Sequence, residues 1–382
     1  MSDAIRKLVG EALCEIIDSA KTGGRKIRVG LMASGSEHGA EEIAKGAALA
    51  LHEHSNVIPV LIGPTVKGYE HLEYIDCEEE EIPARLEEAV KSGEVAGAVA
   101  MHFPFPLGVA TIGRVLTPGR GRPMILASTT GTSSTLRGEA MLRNAVYGIA
   151  TAKALGIADP TVGILNVDTA QPVFRALSRM KAKGYTITFG ESSRADGGSV
   201  LRGNDILTGT VDVCVTDTLT GNVLVKMFSS FTTGGSYESV GWGYGASCGE
   251  GWSNVVSIVS RASGAPVIAN ALAFTARVIA GGLPERVAEE LKSARMFGLD
   301  DEIAAFAPKA AHSDETVKAP ESEPTDDELH GIDVLEIDEA VKVLWKAGIY
   351  AESAMGCTGP VIKMPARHIQ KAAQLLKENG YL

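Results

Sequence analysis

Two kinds of segment alternate along this chain. Short runs of aliphatic and β-branched residues end in Gly, Ser, Thr or Pro, and longer stretches with apolar residues at helical spacing follow them. Lys26–Met32, Val57–Ile62, Val95–Met101, Met124–Ala127, PTVGILNVD at Pro160–Asp168, Tyr185–Phe189, the apolar run from Val211 to Asp217, and Asn254–Ser260 read as strands. Helices are expected over residues 1–20, from about Ala40 to His52, and in the second half of the acidic segment Cys77–Gly93. Further helices are expected from about Leu136 to Leu155, from Asp168 to about Lys183, and over most of 269–297 with a break at Gly281-Gly282. Recurrent strand–helix units predict an α/β protein, doubly wound, with two lobes and a cleft.

The stretch VDVCVTDTLTGNVLVK, Val211–Lys226, organises the candidate chemistry. Asp217 ends a buried strand, and Thr220-Gly221-Asn222 is expected to turn the chain into a helix. Backbone N–H groups at such a helix start lack intrahelical partners and suit an anion. Asn222 and Lys226 are four residues apart, so they share a helix face. An ordinary capped helix with a surface lysine would carry the same residues.

A second hydroxyl-rich junction, Ser128–Thr135, contains Thr130, Gly131, Thr132 and Ser133 just before a helix. It reads either as an anion cradle or as a Ser/Thr cap. His102 opens the loop HFPFPLG after Val95–Met101. Pro104 and Pro106 restrict that loop and hold His102 at a strand's carboxyl edge, where open α/β sheets bind ligands. A packing role fits His102 as well, and His38, His52 and His54 are weaker candidates. Arg194 and Arg202 lie in or beside a polar loop and would either clamp an anion or pair with Asp196 and Asp205. Ala33–Gly39 is small enough for close ligand approach but is not GxGxxG. Phe228–Gly249, rich in Ser, Thr and Gly, reads as an elaboration anchored by Phe231, Tyr237, Trp242 and Tyr244.

The expected organisation is a two-lobed domain at 1–307, an acidic linker or irregular connection at 308–331 and an extension at 332–382 that carries Cys357. Its last helix starts near Pro365 or Ala366 and carries His368. A formal charge of -11 over 382 residues argues against a general nucleic-acid binder, although a local positive pocket remains compatible. No apolar run has transmembrane length and the first residues lack a signal-peptide core, so no membrane association is expected. Five scattered cysteines do not form a secreted disulfide framework, which points to a reducing cytoplasm. No CxxC pair or His/Cys cluster suggests a metal, and no cofactor is expected.

Among the cysteines, Cys357 sits in the small-residue turn Met355-Gly356-Cys357-Thr358-Gly359-Pro360. A thiolate there could attack an activated acyl group, whereas a buried structural cysteine is the other reading. At ILNVD (Ile164–Asp168), RGNDI (Arg202–Ile206) and VDVCVTDTLTGNVLVK, the chain resembles the fatty-acid/phospholipid synthesis acyltransferases that form acyl phosphates. That superfamily includes phosphotransacetylase-like enzymes, and the resemblance implies a phosphotransacetylase/isocitrate-dehydrogenase-like architecture.

GSEHG (Gly35–Gly39), GRVLTPG (Gly113–Gly119), STTGTSST (Ser128–Thr135), RADGGSVLRGND (Arg194–Asp205), FSSFTTGGSYE (Phe228–Glu238) and GCTGP (Gly356–Pro360) resemble one branch of it. This is the alpha subunit of component C of glycine/sarcosine/betaine reductase complexes. The resemblance implies an acetyl thioester on Cys357 and its release by inorganic phosphate as acetyl phosphate. It implies phosphate or acyl handling near Thr130, Gly131, Thr132, Arg194, Asp217, Asn222 and Lys226, with Ser133 and Gly221 alongside. His102 or His368 would be available for proton transfer. The implied partners are a condensing-enzyme-like beta subunit and a selenoprotein A carrying a carboxymethyl group, within a homo- or hetero-oligomer. A phosphate acetyltransferase or acyl-carrier/phosphate acyltransferase independent of Cys357, and a non-catalytic phosphate-binding scaffold subunit, are the alternative readings.

Overall fold

A computed structural model describes residues 26–193, 198–307, 317–330, 332, 337–356, 359–379 and 381–382, together with Gly10, Leu13, Ile16, Ile17 and Ala20. Those five isolated residues are helical, and the rest of the expected 1–20 helix lies outside the described residues. Twelve strands form one continuous sheet: β1 (Ile27–Met32), β2 (Val57–Ile62), β3 (Glu73–Ile75), β4 (Gly97–Ala100), β5 (Val109–Leu116), β6 (Pro123–Gly131), β7 (Thr161–Leu165), β8 (Thr188–Phe189), β9 (Val200–Leu201), β10 (Val213–Val215), β11 (Gly245–Gly249) and β12 (Val256–Ile258). Their order is β3-β2-β1-β4-β12-β11-β5-β6-β10-β7-β8, with β9 added beside β7. The long helices between them are Ala40–Glu53, Ile82–Ser92, Arg137–Ala154, Ala170–Lys183, Thr218–Ser229, Ala265–Ala280 and Leu283–Met296.

Strands covered on both faces have no polar side, so they read as continuous apolar runs. That is why β1 and β2 were visible in the sequence. Alternate residues of β6 and β10 then divide between two cores. Leu126 and Cys214 join Val225 and Phe228 of the helix Thr218–Ser229. Ile125, Ala127, Val213 and Val215 face the other way, against Met141, Ala145 and Tyr147 of Arg137–Ala154. Two helices thus clamp one pair of strands from opposite sides.

The two central strands escaped the sequence reading. β11, GASCG, is wholly buried yet contains none of the β-branched residues that announce a strand. It is small because its neighbour is close: a Cβ at Gly245 would lie 1.9 Å from the Ile112 carbonyl oxygen, and Gly245 has φ +82°. β11 is antiparallel to β12 and to β5, and β5 is antiparallel to β6. The strands β3-β2-β1-β4-β12 are parallel to one another, as are β6-β10-β7-β8. An odd number of reversals between the sets sends their carboxyl ends to opposite edges of the sheet.

The C-terminal region is a separate small layer. Strands β13 (Asp327–Leu329), β14 (Glu352–Gly356) and β15 (Gly359–Met364) form an antiparallel sheet in the order β13-β15-β14. Helices Ile337–Lys346 and Ile369–Glu378 supply its core through Ala340, Leu344, Ala372 and Leu376. Of the expected linker or irregular connection at 308–331, residues 308–316 and 331 lie outside the described residues, and near its end β13 pairs with β15, Leu329 opposite Ile362. The layer joins the main body where Ala354 bridges Pro106 and where Thr135 Oγ1 donates to Asp338 Oδ2 at 3.4 Å.

Gly245→Ala would put a methyl group into the β5 backbone at a left-handed φ. It is expected to destabilise the fold by about 3 kcal/mol, read as a lowered midpoint in urea unfolding.

Candidate active site

The site is built at the carboxyl ends of β6 and β10. Thr216 N–H donates to the Ala127 carbonyl at 2.8 Å and carries the β6–β10 pairing to the edge. Asp217 then caps the helix: its carboxylate accepts from Thr220 N at 3.1 Å and from Thr220 Oγ1 at 2.6 Å. The helix therefore begins at Thr218. Thr220, Gly221 and Asn222 lie inside its first turns, which corrects the expected turn at these residues. The amides of Thr218 and Leu219 have no carbonyl within the helix to bond.

Gly221 is a packing residue first. A Cβ there would lie 1.8 Å from the Ser128 carbonyl oxygen, so only glycine lets the helix lie this close to β6. The close approach puts Asn222 Nδ2 3.1 Å from the Thr129 carbonyl oxygen, to which it donates. Ser128 Oγ and Thr218 Oγ1 meet at 3.2 Å across the same junction. Lys226, one turn on, is exposed, and its Nζ lies 5.5 Å from the centre of the Tyr244 ring. Asn222 thus meets β6, and Lys226, one turn further along the helix, meets the ring of Tyr244.

β6 runs on through Gly131, so Thr130 and Gly131 belong to a strand and not to the loop expected from Ser128 onward. The cause is β5. Thr130 N–H donates to Thr111 Oγ1 at 3.0 Å, and Gly131, at φ +70°, would carry a Cβ 2.4 Å from the Val109 carbonyl oxygen. Thr132 N–H donates to that Val109 oxygen at 3.1 Å, and the Thr132 carbonyl accepts from Gly108 N–H at 2.9 Å. Ser133 turns inward. Its buried hydroxyl bonds Asn144 Oδ1 at 2.8 Å and the Ala140 carbonyl at 3.2 Å, so it ties the loop to the helix Arg137–Ala154. Ser134 accepts from Leu136 N–H at 3.1 Å in a turn just before the helix, whose N-cap, Leu136, receives no side-chain cap.

His102 does not share this edge. It stands at the carboxyl end of β4, and β4 runs opposite to β6 and β10. Its loop crosses the sheet with Phe103 and Phe105 against Trp252 and finishes at Gly108, beside Thr132. The C-terminal layer packs near His102. Burial lowers its pKa, Glu328 opposes that shift and Lys363 adds to it. His368 lies in the C-terminal layer, where Arg367 Nε is 3.2 Å from its Nε2. Arg194 and Cys357 are outside the described residues; the strands on either side of Cys357 are β14 and β15, which pair through Gly356 and Gly359.

Cys14 lies outside the described residues, and Cys77, Cys214 and Cys248 do not compete as thiolates. Burial pushes Cys214 and Cys248 up to about 12 and raises Cys77 as well. Burial would also raise the Asp205 carboxyl. Hydrogen bonds from Arg202 N–H, Ser193 and Ser192 outweigh it and hold the pKa below the usual value. Asp205 is thereby a loop anchor. No group of His, Cys, Asp and Glu among the described residues is placed to hold a metal ion. The sequence gives no sign of Thr111, and it shows Thr129 only as part of a hydroxyl-rich junction and Tyr244 only as an anchor of its segment, because their contacts at this site are long-range.

Residues 27–363 match the family described as fatty acid synthesis protein. The chain belongs to that family. Across its whole length it is 49% identical over 385 residues to "Glycine/sarcosine/betaine reductase complex component C subunit alpha" of Peptoclostridium acidaminophilum, covering 100% of this chain and 99% of that protein. It is 30% identical over 244 residues to "Phosphate acyltransferase" of Agrobacterium fabrum, covering 52% of this chain and 67% of that one. A branched-chain phosphotransacylase structure from Enterococcus faecalis has a TM-score of 0.47 to it at 16% identity, covering 66% of this chain and 99% of that one. In this family member, the glycine at 221 and the β5–β6 pairing account for the closeness of the two site loops.

NMR titration is expected to show His102 ionising below the usual histidine value of about 6.5. Lys363→Ala should raise that pKa and Glu328→Gln should lower it further, because each removes one of the opposing charges. Unchanged values in both variants would separate His102 from the C-terminal layer.

Proposed function

We propose that this chain is the acetyl-transferring subunit of a glycine/sarcosine/betaine reductase system. It accepts an acetyl group as a thioester on Cys357 and releases it to inorganic phosphate as acetyl phosphate. The observation that carries this reading is the 49% identity to a component C alpha subunit over the entire chain. Matches to proteins named phosphate acyltransferase support phosphate as the co-substrate.

The chemistry balances without a redox step. The Cys357 thiolate attacks the acetyl carbonyl on the donor, and the donor's leaving group departs. A phosphate oxygen then attacks the thioester carbonyl, a tetrahedral oxyanion forms, the C–S bond breaks, and the thiolate is regenerated as acetyl phosphate leaves. Lys226 would hold the phosphate by its positive charge. The helix-start amides of Thr218 and Leu219 would face the developing oxyanion, where each such donor is worth about 3 kcal/mol. Asn222 and Gly221 hold that helix start against β6, and Thr130-Gly131-Thr132 forms the opposite wall. Phosphate is itself a nucleophile near neutral pH, so no histidine is required as a base.

The bridge from Pro106 to Ala354 and the Thr135–Asp338 contact support delivery of Cys357 to the cleft of its own chain. Along the outer face of the site helix, Leu219, Val223 and Met227 are exposed at successive turns, with Phe231 beyond them. This apolar stripe supports docking of the condensing-enzyme-like beta subunit beside the site. A carboxymethyl-carrying selenoprotein A is the proposed source of the two-carbon unit. Location in a reducing cytoplasm is supported by free thiols at Cys77, Cys214 and Cys248. No single helix among the described residues is long and apolar enough to cross a membrane.

Incubation with acetyl phosphate followed by peptide mass spectrometry is expected to find one acetyl group on Cys357, removed by added phosphate or arsenate. Cys357→Ala should abolish both the adduct and acetyl phosphate formation with the partner subunits. Full activity in that variant would instead favour a phosphate acyltransferase that works without the cysteine.

A further inference from the structure

The role of Lys226 depends on where its ammonium is held, and the structure shows the device. Lys226 and Asn222 sit one turn apart on the helix Thr218–Ser229, and each meets one member of a rigid pair. Asn222 Nδ2 donates to the Thr129 carbonyl at 3.1 Å, and Lys226 Nζ stands 5.5 Å over the ring of Tyr244. Thr129 Oγ1 in turn donates to the Tyr244 carbonyl. Helix, β6 and Tyr244 therefore form a closed circuit of contacts.

Tyr244 itself cannot wander. Its N–H donates to the Ile258 carbonyl at 2.7 Å, and the residue is 2% exposed. The hydroxyl reaches Glu238 Oε1 at 3.4 Å, and the buried Glu238 carboxylate is held by Ser263 Oγ at 2.9 Å. Burial and the Glu238 charge push the phenol far above its ordinary pKa, so it stays protonated and donates toward the carboxylate. Donation toward an anion enriches the ring and strengthens its attraction for a cation.

We propose that Tyr244 is a positioning residue that holds the Lys226 ammonium over its ring face for the incoming phosphate. An aromatic face differs from a carboxylate partner in one decisive way: it orients the ammonium without neutralising its charge. A lysine anchored this way keeps its full attraction for an anion. This inference rests on the phosphate-handling reading above.

The test measures phosphate KM and kcat for acetyl phosphate formation by the assembled complex in four variants: Tyr244→Phe, Tyr244→Leu, Lys226→Ala, and the Leu/Ala double variant. Tyr244→Phe keeps the ring and should stay within about twofold of wild type, whereas Tyr244→Leu should raise phosphate KM about fivefold to tenfold with little change in kcat. Lys226→Ala should raise KM at least as far, and adding Tyr244→Leu to it should have no further effect. Independent effects of the two substitutions, or a fall in kcat at unchanged KM, would overturn the proposal.

A second readout does not require a folded Leu variant. Reductive ¹³C-methylation of the wild-type protein, with Lys226→Arg to assign the signal, should show the Lys226 methyl resonance shifted upfield by the Tyr244 ring. An unshifted resonance refutes the contact. A shifted resonance with an unaffected phosphate KM in Lys226→Ala refutes the positioning role while the Cys357 adduct still supports the transfer reading. Absence of phosphate-dependent turnover in wild type removes both.

Discussion

The close approach of the helix Thr218–Ser229 to β6 is the constraint on which the site depends. A glycine at 221 lets the helix backbone lie against the Ser128 carbonyl, where a methyl group would clash at 1.8 Å. Three contacts of the candidate site accompany it. It brings Thr218 to Ser128, gives Asn222 the Thr129 carbonyl, and lays Lys226 over Tyr244. Asp217 sets where the helix starts, and so which amides remain unpaired.

The same economy of space explains the centre of the sheet. Gly245 of β11 lies against the β5 backbone, where a Cβ would meet the Ile112 carbonyl oxygen, and this antiparallel insert reverses the sense of the two parallel halves. One edge then carries the carboxyl ends of β1, β4 and β12, and the other carries those of β6, β7 and β10. The segment from His102 to Gly108 spans these edges, and the C-terminal layer docks on it through Ala354. The C-terminal layer thus meets the main body at Pro106 and Thr135 and keeps a core of its own.

Charge is distributed in keeping with this division. The buried carboxylates outside the site are committed to structure: Glu290 to Lys153 and Tyr185, Glu302 to Arg179, and Asp205 to the loop around Ser192 and Ser193. Lys226, by contrast, has its Nζ over the ring of Tyr244. The formal charge of -11 belongs to the chain as a whole and does not describe this local arrangement.

Much of the architecture was legible in the sequence because strands buried on both faces must be apolar throughout, and helices against them must repeat their apolar residues at helical spacing. The pairing of Asn222 with Lys226 was likewise a matter of helical period. The small strand Gly245–Gly249 was not legible, since its residues answer to the distance of a neighbour and not to strand propensity. Thr130 and Gly131 read as loop in the sequence because only pairing with Thr111 and Ala110 extends β6 past Ala127. The strand at Asp327–Leu329 was hidden for the same reason, its partner Ile362 lying far along the chain. Local period and composition were thus determined by the sequence itself. Strand direction, the separation of His102 from Asn222, and the seat of Lys226 on Tyr244 arise from long-range pairing, which only the tertiary structure decides.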